Sequence, residues 1–153
     1  MHTYSATQKI PISLEQAWDF FSSPKNLSLI TPPEMRFEIQ SEVPEKMYSG
    51  LFIQYKVRPL MNIPTTWVTE IKHVEEPLYF VDEQIEGPYT VWHHQHFFKV
   101  IDGGIEMTDI VDYKIPMGII GKFMNRLFIR KKINAIFEYR RKKLIELFGE
   151  IKY

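Results

Sequence analysis

The sequence contains no cysteine, no long apolar run and no excess of either charge. Without cysteine there is no disulfide framework and no thiolate nucleophile, and a reducing compartment suits such a chain, so we predict a cytoplasmic location. No apolar stretch has the length that a membrane-spanning helix needs. The first residues lack the basic segment and apolar run of a signal peptide. These absences argue against a secreted disulfide scaffold and an integral membrane protein.

Two catalytic motifs are missing as well. The sequence has no nucleophile motif of the Ser-His-Asp type. The segment 118–122 superficially resembles a phosphate-binding loop, but it lacks the four-residue spacer that precedes the Gly-Lys-Ser/Thr ending of such loops. We therefore predict no phosphate site at this segment, and no cofactor.

The sequence does contain enough apolar material for one sizeable domain. Of its 153 residues 44% are hydrophobic and 14% aromatic, so residues 1–153 are predicted to form one domain whose core or cavity holds large rings. Charge is unevenly distributed, because residues 119–153 carry ten Lys/Arg and three Asp/Glu, a net +7. Such a segment can bind nucleic acid or anionic lipid, but we interpret it as the solvated face of an amphipathic helix and predict no nucleic-acid partner.

The most informative stretch, residues 87–115, is predicted to form two long strands joined by a turn at Asp102-Gly103. Asp-Gly followed by another glycine supplies the positive φ angles of a short hairpin turn, although the extra glycine leaves the register open by about one residue. With Ile101 and Gly104 flanking the turn, the strands pair Trp92 with Tyr113, His94 with Val111, and His96 with Asp109. Because side chains alternate along a strand, one face is then aromatic and apolar around a His/His/Asp group.

The remaining segments follow from periodicity and from helix and turn signals. Ser13 with Gln16 forms a capping box for a helix over 14–21, and Gly149 ends a long helix over 119–148 whose apolar residues recur at spacings of three and four. The other predicted elements are a strand at 3–12, a second short helix from Ser23-Pro24 to Thr31, strands beginning at Phe37 and spanning 51–57, 65–74 and 78–85, and a loop at 59–64. Short turns between the strands favour an antiparallel sheet.

The order of these elements resembles the START/SRPBCC superfamily, the birch-pollen-allergen-like helix-grip fold, over the whole chain. More specifically, the chain resembles a bacterial branch of that superfamily in the segments Trp67–Ile71, Phe80–Gln84, Gly87–Phe98 and Thr108–Pro116. The resemblance implies an α+β fold: a curved antiparallel sheet of about seven strands around a long C-terminal helix, with two short helices after the first strand. It also implies a cavity between sheet and helix that, across the superfamily, takes lipids, sterols, polyketides or other apolar molecules.

Three polar residues on the inner face, His94, His96 and Asp109, admit three interpretations. The favoured one is a buried polar network that satisfies its own hydrogen bonds, because an unpaired buried carboxylate is costly. The second is acid/base chemistry or recognition of a polar ligand group. The third is a facial triad for a transition metal, and we do not predict a metal here. Whether Glu70 and Asp82 join this group is left open.

The residues predicted to contact a ligand come from the inner face of the sheet and from the long helix. Rings at such a position are either ordinary core or the walls of a pocket for a flat apolar molecule. The predicted ligand-binding residues are Tyr55, Trp67, Phe80, Trp92, His94, His96, Phe98, Asp109 and Tyr113 on the sheet, with Met124, Leu127 and Phe128 as the opposite wall. Met61, Ile63 and Pro64 are predicted to cover the entrance.

Three functions are compatible with these features. The favoured hypothesis is a non-catalytic protein that binds or carries a small hydrophobic molecule, with His94, His96 and Asp109 orienting its polar end. The alternative is an enzyme of the cyclase or hydrolase type, in which His96 and Asp109 transfer the proton. The third is an interaction module whose basic helix face docks on a partner. Neither the identity of the ligand nor the oligomeric state follows from the sequence.

Overall fold

The computed structural model describes residues 1–59 and 62–151. Its seven strands form one antiparallel sheet in the order β1-β7-β6-β5-β4-β3-β2. The strands are β1 (His2–Ile10), β2 (Glu38–Ile39), β3 (Phe52–Val57), β4 (Thr65–Glu75), β5 (Tyr79–Glu86), β6 (Val91–Ile101) and β7 (Gly104–Lys114). The predicted sheet is confirmed, and the first strand forms one edge of it by pairing with the last.

The helical segments lie between β1 and β2 and after β7. Helix α1 (Leu14–Phe21) and short 3-10 segments at Pro24–Ile30 and Pro33–Met35 follow β1. After β7 the chain is helical from residue 118 to residue 148. This segment consists of α2 (Gly118–Met124), one π-helical turn (Asn125–Ile129) and α3 (Arg130–Phe148). The long C-terminal helix is therefore confirmed, with a π turn that periodicity did not reveal.

The hairpin of β6 and β7 has the predicted register. Ile101 pairs with Gly104 across a two-residue turn, and Gly103 takes a φ of 82°. Gly104 is required for a second reason, because a Cβ there would lie 2.1 Å from the carbonyl oxygen of Ile10 at the end of β1. The pairs Trp92–Tyr113, His94–Val111 and His96–Asp109 are all present. Both histidines and Asp109 consequently lie on the face that meets the C-terminal helix.

The capping box predicted for α1 is also present. The Ser13 side chain accepts from the Gln16 backbone N–H at 3.1 Å, and the Gln16 side chain accepts from the Ser13 N–H at 2.9 Å. These bonds satisfy two of the donors that a helix N-terminus leaves without partners. Helix α1 buries Trp18 edge-on against Phe80 and Phe98, with 6.0 Å between ring centroids in each case. This aromatic group belongs to one core cluster under α1.

Irregular pairing bends the middle of the sheet. The register between β4 and β5 shifts twice, between Val68 and Thr69 and between Ile71 and His73. Such bulges bend a strand and increase its twist, so the sheet can curve around α3. The buried face of α3 carries Ile133, Phe137, Arg140 and Leu144. One charged residue thus interrupts an otherwise apolar helix face at the centre of the fold.

None of the helices in residues 1–59 and 62–151 combines the length and apolarity needed to cross a bilayer.

Candidate functional site

A cavity of about 170 Å³ lies between the inner face of the sheet and the C-terminal helix. Its sheet wall includes Tyr55, Trp67, Phe80, Trp92, His94 and His96. Its helix wall is formed by Ile133, Ile136, Phe137 and Arg140. The 3-10 region adds Pro24, Leu27, Ile30 and Met35. The cavity is therefore mostly apolar and aromatic, with its charged groups concentrated on one side.

Three residues predicted on the sheet wall lie elsewhere. Phe98 does not line the cavity, because it packs against Trp18 in the core. Tyr113 is buried and donates its hydroxyl hydrogen bond to Oδ1 of Asn125 at 2.7 Å. Asp109 lies behind the two histidines and contacts them without lining this cavity. Alternation along β6 and β7 correctly predicts which side chains point inward, but it does not show how far along that face the cavity extends.

The helix wall lies further along the chain than predicted. Met124, Leu127 and Phe128 are absent from the lining, and Leu127 and Phe128 are exposed. Their place is taken by side chains of α3 beginning at Ile133. The reason is that the buried side of residues 118–129 consists of one glycine, one asparagine and one isoleucine, whereas periodicity places the larger apolar side chains inward. The covering loop predicted at Met61 lies outside the described residues, and neither Ile63 nor Pro64 lines the cavity.

A buried polar cluster forms the charged side of the cavity, with His96 at its centre. Nε2 of His96 lies 2.6 Å from Oδ2 of Asp82, and Nδ1 lies 3.0 Å from Oδ1 of Asp109. Ionised carboxylates only accept hydrogen bonds, so both ring nitrogens of His96 must carry a proton. Burial lowers the pKa of His96, but the bonds to Asp109 and Asp82 outweigh it, and the pKa is raised. His96 is therefore an imidazolium held between two carboxylates.

His94 has the opposite protonation. Its Nε2 lies 2.9 Å from Oδ1 of Asp109. Burial lowers the pKa of His94, the charge on His96 lowers it further, and the bond to Asp109 does not compensate. Neutral His94 then donates through Nε2 and keeps a lone pair on Nδ1. The two rings stack with centroids 3.7 Å apart, and Phe80 stacks on the other side of His96 at 4.0 Å.

Arg140 completes the cluster from the helix side. Its Nη1 lies 3.8 Å from Oδ1 of Asp109, and its guanidinium carbon lies 4.9 Å from the centre of the Phe137 ring. Burial alone would raise the pKa of Asp82 and Asp109, but hydrogen bonds and charge from the histidines lower both. Two carboxylates, one imidazolium and one guanidinium give no net charge. This balance allows four ionised groups to be buried together.

Two buried hydrogen-bond donors on the cavity residues have no partner among the described residues. They are Nε1 of Trp67 and Nε of Arg140. An unsatisfied buried donor costs about 1–3 kcal/mol, so most such donors in proteins are paired. An oxygen atom of a bound molecule would satisfy either one.

A metal ion is the remaining chemical possibility for the cluster. Asp82, His94 and His96 each offer a ligand atom within 4.8 Å of the other two. Two histidines and a carboxylate suit a transition metal, and this triad contains Asp82 in place of Asp109. A metal would have to displace the proton that bridges His96 and Asp82. Of the two carboxylates that the sequence left open, Asp82 belongs to the inner polar group. Glu70 does not, because it points outward and pairs with Lys72 at 3.1 Å.

The residues that sequence analysis missed carry weak signals. Arg140 stands in a basic run, where a solvated position is the ordinary expectation. Its spacing of three from Phe137 and four from Leu144 nevertheless places it on the apolar stripe. Ile133 and Ile136 belong to the same stripe. In the 3-10 wall, the spacing of Leu27 and Ile30 predicts the inward side of the second short helix, but it does not show that this side lines a cavity.

Comparison with known proteins identifies the fold but no relative by sequence. No family model and no curated protein matches the chain. Protein CV1439 from Chromobacterium violaceum matches in structure with a TM-score of 0.75 at 8% identity, over 99% of this chain and 100% of that one. Protein Ms6760 from Mycobacterium smegmatis has a TM-score of 0.67 at 15% identity, over 95% and 92%. Ara h 8.0201 has 0.63 at 13% identity, over 95% and 98%.

The chain has the helix-grip fold. The resemblance to START/SRPBCC proteins is confirmed at the level of architecture by these matches. Identities this low establish shared architecture only, because one fold supports many activities. The function must therefore be argued from the cavity itself.

Proposed function

We propose that the protein binds or carries a small hydrophobic molecule that has one polar end. The observation that carries this proposal is the cavity, which combines aromatic walls with unpartnered donors on Trp67 and Arg140. Apolar walls with a few placed polar groups are typical of small-molecule sites. The polar cluster would fix the orientation of the ligand, and its apolar part would lie against Tyr55, Trp92 and Ile136.

The volume of the cavity limits the size of this molecule. An engineered apolar cavity of about 150 Å³ in another protein holds benzene, and the present cavity of about 170 Å³ is of similar size. A ligand of one or two rings, or a short acyl chain, fits such a space. A sterol or a long acyl chain would require the walls to move. The proposal therefore favours a small aromatic-like molecule within the broad range of lipids, polyketides and aromatic compounds that the superfamily suggests.

The polar end is expected to be an oxygen acceptor. Both unpartnered groups are donors, so an oxygen of the ligand would supply the acceptor that each of them lacks. A carbonyl, phenolate or carboxylate oxygen matches donors of this kind. An ammonium group has no acceptor, so it would leave both donors without a partner.

Binding can be tested with an environment-sensitive apolar dye and with native mass spectrometry of protein purified from its own host. The variant Ile136→Trp places a large ring on the cavity wall and should abolish dye binding. Leu147→Trp is the matched control, because Leu147 lies on the exposed side of the same helix. A folded Ile136→Trp variant that binds dye as well as the wild type would refute the cavity as the site.

The donors can be tested separately. Trp67→Phe keeps an aromatic wall but removes the Nε1 donor, so the affinity for a carbonyl-bearing aromatic probe should fall about two- to tenfold, the worth of one hydrogen bond. The affinity for the matching hydrocarbon probe should change little. Equal losses for the two probes would show that Trp67 contributes shape only.

A second candidate function is general acid/base catalysis of the cyclase or hydrolase type. It is favoured by a neutral histidine and an imidazolium stacked on one wall of the cavity. Of the residues predicted for this role, His94 is the better base, because both nitrogens of His96 already donate to carboxylates and Asp109 accepts from both rings. In a carrier, His94→Ala should weaken binding modestly. In an enzyme it should abolish turnover of a substrate that still binds.

A further inference from the structure

The C-terminal helical segment begins with an apolar surface that the fold leaves uncovered. Six large apolar residues within twelve positions are between 40% and 85% exposed. We call them the exposed apolar patch: Met117, Ile119, Ile120, Phe123, Leu127 and Phe128. Single exposed apolar residues are ordinary, but a contiguous set on one short segment marks a contact surface.

The outward orientation of the patch is fixed by the opposite side of the helix. Gly121, Asn125 and Ile129 recur every four residues and are buried. Asn125 accepts from the Tyr113 hydroxyl, and a Cβ at Gly121 would lie 2.3 Å from the carbonyl oxygen of Pro116, so the helix is seated closely on the chain before it. Ile119 and Phe123 follow the same spacing on the other side. Rotation of the helix to bury the patch would expose these contacts.

The charged residues in and next to this helical segment are all basic, and we call them the basic border. Lys122, Arg126, Arg130, Lys131 and Lys132 lie within or beside the patch, and the sequence has no acidic residue between Asp112 and Glu138. None of the five basic residues forms an ion pair with any described residue. Their charge is therefore available to a partner, which must be anionic and must also accept apolar side chains.

We propose that the exposed apolar patch and its basic border dock on the surface of an anionic membrane. An interfacial helix inserts apolar side chains at the headgroup boundary while its lysines and arginines contact acidic headgroups. A nucleic acid would match the charge but not six apolar side chains. A second copy of the chain would bring two basic borders together across a symmetric interface, and like charges there repel. The membrane satisfies both properties, and this inference does not depend on what the cavity binds.

Vesicle flotation of the full chain tests the proposal. Vesicles of phosphatidylcholine alone are compared with vesicles containing about 30% phosphatidylglycerol, at low salt and at about 0.5 M salt. We expect binding to the anionic vesicles only, with strong weakening by salt. The double variant Ile119→Ser/Phe123→Ser should reduce partitioning by about tenfold or more. Lys131→Glu/Lys132→Glu should also reduce it, since each basic residue near an anionic surface contributes about fivefold.

Matched controls separate the patch from general surface properties. Phe52→Ser/Val100→Ser removes two exposed apolar residues from the sheet, and Lys25→Glu/Lys142→Glu makes the same change in net charge away from the patch. Both controls should float like the wild type. Failure of the wild type to bind anionic vesicles, or equal loss in controls and patch variants, would overturn the proposal. So would a wild-type dimer in light scattering that Ile119→Ser/Phe123→Ser converts to monomer, because the patch would then be a self-association surface.

Discussion

Replacing Asp109 by asparagine removes one charge from the centre of the polar cluster while keeping its shape. Asp109 is 2% exposed and contacts His94, His96 and Arg140 at 2.9, 3.0 and 3.8 Å. With Asp82 the only remaining carboxylate, two buried cations face one anion. Breaking a buried charge pair from one side costs about 3–5 kcal/mol. For a chain of this size that loss lowers the midpoint of thermal unfolding by about 6–20 °C.

The variant is also expected to change the protonation of His96. The carboxylate that Nδ1 of His96 contacts is gone, and desolvation then favours the neutral ring. The raised pKa of His96 should fall, which proton NMR of the imidazole C–H resonances can follow. Loss of that proton also restores the balance between Asp82 and Arg140, so the destabilisation should shrink as the pH rises.

The matched control is Asp112→Asn on the same strand. Asp112 lies on the outer face and accepts from the Thr3 hydroxyl at 2.6 Å, so its replacement should cost less than about 1 kcal/mol. Urea denaturation followed by circular dichroism gives both values. The charge-balance reasoning fails if the two substitutions cost the same, or if Asp109→Asn leaves the titration of His96 unchanged.

Three further predictions concern stability. The pKa of His96 is raised in the folded protein, so the stability that its charge contributes is complete below about pH 6.5 and is lost as the pH rises through that raised pKa. His94, whose pKa is lowered, is neutral in the folded and unfolded protein above about pH 6.5 and does not offset this loss. The urea midpoint of the wild type should therefore fall as the pH rises above neutrality. Leu144→Ala, at a fully buried position, should cost about 2–5 kcal/mol in the same denaturation assay. Gly104→Ala should displace β1 near Ile10, seen as faster amide exchange there; unchanged exchange would contradict the predicted clash.

Most of the fold could be predicted because local signals and global architecture agree. The Asp-Gly turn and strict alternation specify the register of β6 and β7, and the capping box at Ser13 specifies where α1 begins. Consistency between such local choices and the overall topology is what makes a sequence interpretable. The π turn was not foreseen, because it changes the helix phase by one residue without a distinctive composition.

The candidate site was harder to predict than the fold. His94 and His96 follow directly from alternation on β6, but their partners depend on how two other elements pack. Asp82 lies on β5, whose inner and outer faces both carry polar residues, and Arg140 stands among basic residues that face water. The helix wall could not be predicted for another reason: residues 118–129 turn Gly121 and Asn125 inward and leave their large apolar side chains exposed, the reverse of what periodicity assumes.

The charge balance of the polar cluster has a consequence for how the protein can diverge. Each of the four ionised side chains balances the charge of the others, so changing any one of them alone leaves an uncompensated charge in the apolar interior unless His96 also changes its protonation. Simultaneous exchange of all four for aliphatic side chains of matching volume is expected to be neutral or even favourable. Descendants of this chain should accordingly keep the quartet intact or lose it in one concerted step, and a partially dismantled quartet would point to a compensating change close by.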